Sequence, residues 1–257
     1  MFDFLKSKKY GLALGAGGAK GISYIGVLKA LEDLKFEITH VAGSSAGSLI
    51  GGMYALWGDV KKVEDTVLEY DKKKLIKMFR SDISLSKGVF RGDNFLEELN
   101  IIFGDTQISD CKIPYIAVSV DILSGEKIYH TNGLLKDAIR ASCSIPFVFK
   151  PYELNGRYLV DGGLAENVPV DALKSIGAKK VIGVDTQGFP DFNEKMNLKN
   201  LGSRIYRASM VFTAQRDIKL TDKRIHFELD NLSLEELLDN AKENINLGYE
   251  ETMKIFS

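Results

Sequence analysis

The chain has 257 residues, 45% hydrophobic and 27% charged, which suits one large α/β domain with a sizeable core. A formal net charge of −1 and a pI near 6.3 lack the basic excess of a nucleic-acid binder, so that class of partner is set aside. No run of 18 apolar residues occurs, and the start, MFDFLKSKKYGLAL, has no secretory h-region, so the expected address is the cytoplasm.

In chain order, YGLAL (10–14) is an apolar run that stops at glycines and predicts a buried strand. GISYIGVLKALEDL (21–34) places Ile22, Ile25, Leu28, Leu31 and Leu34 at helical spacing. A second short strand, HVAG (40–43), leads into SAGSLIGGMYALW (45–57), a buried helix rich in small residues. Residues 59–112 are charge-rich and helix-like, and they break the repeat as a cap over one sheet edge would. Further strands are predicted at 114–122, 126–130, 157–163 and 179–186, with helices at 134–142 and 169–177. A long amphipathic helix spans 233–256, and Ser233 and Glu236 supply a capping box. Strand–turn–helix units of this kind predict an α/β fold, a mainly parallel sheet with helices on both faces. With no repeat or linker, residues 1–257 read as one domain. Cys111 and Cys143 stand apart in unlike contexts and read as reduced, packed thiols.

Two glycine turns carry the chemistry. In GAGGAKG (15–21) a dinucleotide fingerprint fails because position 20 is Lys20, and a P-loop fails because Lys20 lies between Ala19 and Gly21. Two readings survive: amides that hold an oxyanion during acyl transfer, or a tight turn with no ligand. A cation at Lys20 opposes the helix dipole, which fits a nearby anion or a side chain pointing into water. In HVAGSSAGSLIGG (40–52), only Ser45 has glycine two positions away on both sides, Gly43 and Gly47. Its place between strand and helix is that of a nucleophile elbow; the rival reading is a turn in which Ser44 or Ser45 caps the helix.

A nucleophilic serine needs a base. His40, His130 and His226 are the only histidines, and none sits in a prepared turn. The order Ser45, aspartate, His226 keeps a triad open, with His130 as a second choice of base. Asp121, Asp161 and Asp185 each end a strand-like segment, the edge where open α/β sheets bind ligands. Asp161 is followed by Gly162 and Gly163, either to expose its carboxylate or as a plain turn.

AGGAKG (16–21), GSSAG (43–47) and DGG (161–163) resemble the three signature blocks of the patatin-like phospholipases, in the family's order. RASCSIPFVFKP (140–151) and ENVPVDAL (166–173), with Asn167 and Pro169, are similar to the stretches flanking the family's aspartate block. The resemblance covers roughly residues 10–190 and extends to the closing helix near Gly248. It implies a three-layer α/β/α patatin-like fold and hydrolysis of an acyl-ester lipid through an acyl-enzyme. It implies Ser45 as nucleophile, Asp161 as base, and Gly17, Gly18 and Ala19 as oxyanion donors, without histidine, metal or cofactor. Ala16 stands where the family often has glycine, keeping the N–H but restricting φ. A patatin fold retained as a weakly catalytic regulatory module is the alternative of a different class.

For a lipid substrate, two segments are candidates for peripheral contact, including at an inner membrane surface: DKKKLIKMFR (71–80) and LGSRIYRASMVFTAQR (201–216). For each, a solvated helix or a core-packing face is the rival reading, and the stronger one.

Overall fold

A computed structural model of the chain describes residues 8–69, 90–188, 198–229, 236 and 239–256. The described strands are β1 (Lys9–Leu14), β2 (Glu37–Ser44), β3 (Tyr115–Asp121), β4 (Lys127–His130), β5 (Tyr152–Leu154), β6 (Arg157–Asp161), β7 (Val181–Asp185) and β8 (Lys223–His226). They form one sheet in the order β5-β6-β3-β2-β1-β7-β8, with β4 also paired to β3. The run β3-β2-β1-β7-β8 is parallel, and the pairings of β3 with β4 and β6, and of β5 with β6, are antiparallel.

The described helices are α1 (Tyr24–Asp33), α2 (Ala46–Trp57), α3 (Val60–Leu68), α4 (Asp93–Phe103), α5 (Leu135–Ser142), α6 (Val170–Ser175), α7 (Leu198–Asp217) and α8 (Ala241–Phe256). Successive strand residues point to opposite faces, so the buried strands feed two separate cores. Leu12, Leu14, Val41, Tyr115, Ile182 and Val184 face the larger core, which Leu28 and Leu31 of α1, Met53 of α2 and Ile245 of α8 complete. Their neighbours Ala13, Ala42, Ile116, Val118 and Val181 face the other side, against Val170 and Leu173 of α6. Helices on both faces of a mostly parallel sheet are the architecture that the alternating pattern predicts.

Several boundaries differ from expectation. The first predicted helix starts as a 3-10 turn (Gly18–Ser23), because spacing by three suits both helix types. Strands β5 and β8 are additions, short and polar enough to leave no clear apolar run. Of the charge-rich stretch 59–112, α3 and α4 are helical and send Val60, Val63, Phe95 and Leu99 into the larger core. Positions 70–89, with the basic segment 71–80, lie outside the described residues, as does Ser233 of the expected capping box. Cys111 and Cys143 are both free thiols, the latter buried.

Strand β3 decides where the loops meet. Ala117 and Val118 pair with both β2 and β4, while Ser119 and Val120 pair with both β4 and β6. A strand residue has two edges, so β4 occupies one edge of β3, and β2 and β6 share the other. β2 runs parallel to β3 and stops at Ser44 opposite Val118; β6 runs antiparallel and stops at Asp161 opposite Ser119. The two strands therefore end head to head on adjacent residues of β3.

Candidate active site

Immediately after β2, Ser45 adopts φ 53° and ψ −124°, outside the regions open to ordinary L residues. Such a conformation costs of the order of 1–3 kcal/mol and persists only where its surroundings impose it. Here the imposition is steric: a Cβ on Gly47 would lie 2.1 Å from the Leu14 carbonyl oxygen, and one on Gly43 would lie 2.3 Å from that of Gly47. Both glycines of the G-x-S-x-G pattern are thus fixed by backbone contact. Neither serine caps α2 with its side chain. Ser45 makes no capping hydrogen bond, and the Ser44 hydroxyl donates to the Glu166 carbonyl at 2.7 Å. Ser44 is a buried brace, whereas the Ser45 side chain is left to the turn.

The Ser45 amide donates to the Ser142 hydroxyl at 3.0 Å, and the Asp161 amide donates to the Ser144 carbonyl at 3.0 Å. The end of α5 therefore holds the elbow and the aspartate from one short segment. Arg140, fully buried, stiffens it by donating to the Ser144 hydroxyl at 2.7 Å and to the Gly92 carbonyl at 3.1 Å.

Asp161 is itself fully buried. Its Oδ1 accepts the Gly163 amide at 2.8 Å, while Oδ2 has no hydrogen-bond partner. Burial raises its pKa from 3.8 to about 6, and the Ser45 hydroxyl, the Gly163 amide and the Tyr206 hydroxyl beside it act in the opposite direction. The two hydroxyls are near enough to favour the anion, yet neither closes a well-formed bond to Oδ2. Tyr206 comes from α7, whose Met210 and Tyr206 pack with Ala16. Burial and the adjoining Asp161 push its phenol well above the ordinary tyrosine value.

The glycine loop 15–19 leaves β1 next to β2. Gly18 takes φ +55° with open space where a Cβ would stand. No hydrogen bond among the described residues takes up the amides of Gly17, Gly18 or Ala19, whereas Ala16 donates to the Asn167 carbonyl at 3.2 Å. Amides left open in this way can donate to an anion. Lys20 lies in the 3-10 turn, its amide donating to the Gly17 carbonyl at 3.2 Å, and Gly21 abuts Ala46 of α2. Gly163 abuts Ala16, and Gly162 lies against the Val118 carbonyl, so the loop, the elbow and the aspartate turn touch one another.

The other candidates are engaged elsewhere. His130 pairs with Ala117 on the far edge of β3, bonds Ser119 Oγ at 2.8 Å through Nε2, and is lowered by burial to a pKa of about 4. His226 bonds Asp185 at 3.2 Å on β8, three strand spacings or roughly 14 Å from β2. His40 bonds Thr39 toward the start of β2. Asp121 anchors the β3–β4 turn through Leu123 and Ser124. Of the stripe 201–216, Tyr206, Met210, Val211 and Ala214 are buried, while Ile205 and Phe212 are 61% and 73% exposed. Sequence reasoning gave no role at the site to Ser142 or Tyr206; Ser142 lies in the small-residue run SCS and Tyr206 in the stripe 201–216.

The family model for patatin-like phospholipase matches residues 12–174, more than half of the chain and all three turns. The chain belongs to the patatin-like phospholipase family. This patatin-like chain is 35% identical over 182 residues to an uncharacterized NTE family protein of Mycobacterium bovis, covering 71% of this chain and 50% of that protein. It is 35% identical over 190 residues to the lysophospholipase NTE1 of Yarrowia lipolytica, covering 73% of this chain and 13% of that one. With human patatin-like phospholipase domain-containing protein 6 it shares 36% over 179 residues, 68% and 13% of the two chains. The chain thus spans half or less of the length of these relatives. The crystal structure of VipD from Legionella pneumophila superposes with a TM-score of 0.63 at 16% identity, covering 96% of this chain and 66% of that one, which shows a common fold. Among the described residues no helix is long and apolar enough to cross a membrane.

Proposed function

We propose that this chain is a serine acyl hydrolase acting on lipid esters, with Ser45 as nucleophile and Asp161 as its general base. One observation carries the reading: a fully buried carboxylate whose Oδ2 has no hydrogen-bond partner stands beside the hydroxyl of a serine in a strained elbow. A buried oxygen without a donor is costly, and a proton to accept is what relieves it.

In the forward step Ser45 Oγ attacks the ester carbonyl carbon and its proton passes to Asp161. The amides of Gly17, Gly18 and Ala19 take the negative charge that develops on the carbonyl oxygen. Collapse expels the alcohol, which receives the proton from Asp161, and leaves an acyl-Ser45 ester. Water attacks this ester as Asp161 takes its proton; the bond between the acyl carbon and Ser45 Oγ then breaks, Oγ takes the proton back from Asp161, and the acid departs. The lipid nature of the substrate rests on family membership and on relatives named as phospholipases. Exposed Ile205 and Phe212 on α7, with Phe147 beside Gly202, supply an apolar surface suited to peripheral contact with a lipid aggregate.

The test is labelling by a fluorophosphonate together with hydrolysis of 4-nitrophenyl butyrate. Wild type should be labelled and active, and Ser45→Ala should be neither. Labelling of Ser45→Ala at the wild-type rate would sink the assignment.

A further inference from the structure

We infer that Gln187 is a positioning residue for the oxyanion site, setting the direction of the Gly17 amide; the inference rests on the hydrolase reading above. In a trans peptide the carbonyl of one residue and the N–H of the next point in opposite directions. No cis bond occurs among the described residues, so whatever fixes the Ala16 carbonyl also aims the Gly17 N–H. The group that fixes it is the Gln187 side-chain amide, which donates from Nε2 to the Ala16 oxygen across 171 positions of sequence.

Each peptide plane leading into the loop is pinned in this way. The Gly15 carbonyl accepts from Tyr24 Oη at 2.9 Å, and the Ala16 N–H of the same plane donates to Asn167. The Gly17 carbonyl accepts the Lys20 amide, which aims the Gly18 N–H. Only the Ala16–Gly17 plane depends on a single side chain. The sheet order supplies the direction: β1 lies between β7 and β2, and Gln187 follows β7. A carbonyl held from the β7 side turns the Gly17 N–H toward the β2 side, where Ser45 stands. Gln187 is held in turn by its backbone N–H, which donates to Asp185 Oδ1 at 2.9 Å.

Glycine at position 17 makes such a brace necessary, since a residue without Cβ offers little resistance to rotation of its peptide. Gln187 does not touch the reacting atoms. Its effect is on the orientation of a donor, which matters in the transition state more than in substrate binding.

The test is Gln187→Met, close in shape and without a donor. Thermal melting should match wild type, the KM for 4-nitrophenyl butyrate should stay within about twofold, and kcat should fall roughly tenfold or more. Outright loss of an oxyanion donor costs about 10²–10³-fold, so loss of aim should fall below that. The fluorophosphonate labelling rate should drop by the same factor as kcat. Gln187→Glu adds a readout that a packing role would not move. Ionised, it has no donor for Ala16; protonated, its O–H restores one, so the ratio of its kcat to that of wild type should rise as pH falls. A Gln187→Met enzyme with kcat within twofold of wild type overturns the inference, as does a pH-independent ratio for Gln187→Glu. Absence of Ser45-dependent turnover in wild type would instead remove the hydrolase reading, and this inference with it.

Discussion

Ser44 and Asp161 end two strands that approach along the same edge of β3, opposite its adjacent residues Val118 and Ser119. This relationship brings an elbow and a carboxylate separated by more than a hundred residues to one point. It also explains why the carboxylate is buried: the last residue of β6 is enclosed by the turn after β2, the end of α5 and the side of α7. Burial then raises its proton affinity, which is the property a base for serine must have.

The first prediction is therefore a pH profile. The base proposed at Asp161 acts as the anion, so kcat/KM for a soluble ester should fall about tenfold per unit as pH drops below about 6, and be flat above it until other groups titrate. Tyr206→Phe removes a hydroxyl that favours the anion, so the midpoint should move upward. Turnover measured across pH 4–8 in both proteins decides the point, and a midpoint that stays put in Tyr206→Phe would count against the contact.

A second prediction concerns stability. The folded pKa of Asp161 is raised above the unfolded 3.8, so the carboxylate opposes folding above pH 4, increasingly up to about pH 6 and constantly beyond. A pKa raised from 3.8 to about 6 corresponds to a cost of about 3 kcal/mol at pH 7. Asp161→Asn keeps an oxygen for the Gly163 amide and removes the charge. It should be inactive yet more stable than wild type at pH 7, by about 1–3 kcal/mol in urea unfolding, with the gain vanishing below pH 4. A less stable variant at neutral pH would contradict this.

The pieces legible in the sequence are those made by local chemistry. YGLAL before glycines, the small-residue elbow around Ser45 and the DGG turn each announce a strand end through neighbouring residues. Strand β8, KRIH, escaped because it is short and polar and gains its place from pairing with β7. The meeting of β2 and β6 depends on register along β3, which no local pattern encodes. Tyr206 and Gln187 reach the site by tertiary packing alone; in sequence one is a spot on an amphipathic helix and the other follows a strand.

Third, the histidines should be dispensable. His226 is tied to Asp185 on β8, and His130 faces Ser119 from the far edge of β3. His226→Ala and His130→Ala should each keep kcat within about threefold of wild type, whereas loss of a general base costs about 10²–10⁴-fold. A loss on that larger scale in either variant would restore a triad.

Fourth, the glycines divide by cause. Gly47→Ala puts a Cβ 2.1 Å from a backbone oxygen that cannot step aside, so it should fail to accumulate as folded protein or unfold several kcal/mol sooner. Gly18→Ala meets open space and bears only its positive φ, about 1–2 kcal/mol. It should fold, with kcat reduced more than stability because the strain falls on the amides of the loop. Urea unfolding alongside kcat separates the two.

Finally, Ser142 and Ser144 sit on one turn and make opposite predictions. Ser142 serves Ser45 through its side chain, accepting the amide of a residue held at φ 53°. Ser142→Ala leaves that buried N–H without a partner, which costs about 1–3 kcal/mol and loosens the geometry of the elbow. Ser144 serves Asp161 through its backbone carbonyl, which alanine retains; its hydroxyl only links to Arg140. Ser144→Ala should thus lose stability, because buried Arg140 forfeits an acceptor, while keeping kcat near the wild-type value. Ser142→Ala should lose both, with labelling of Ser45 slowed in step with kcat. Equal kcat losses in the two variants would mean that the segment acts as a packing unit, and that the Ser45–Ser142 hydrogen bond has no separate part in holding the nucleophile.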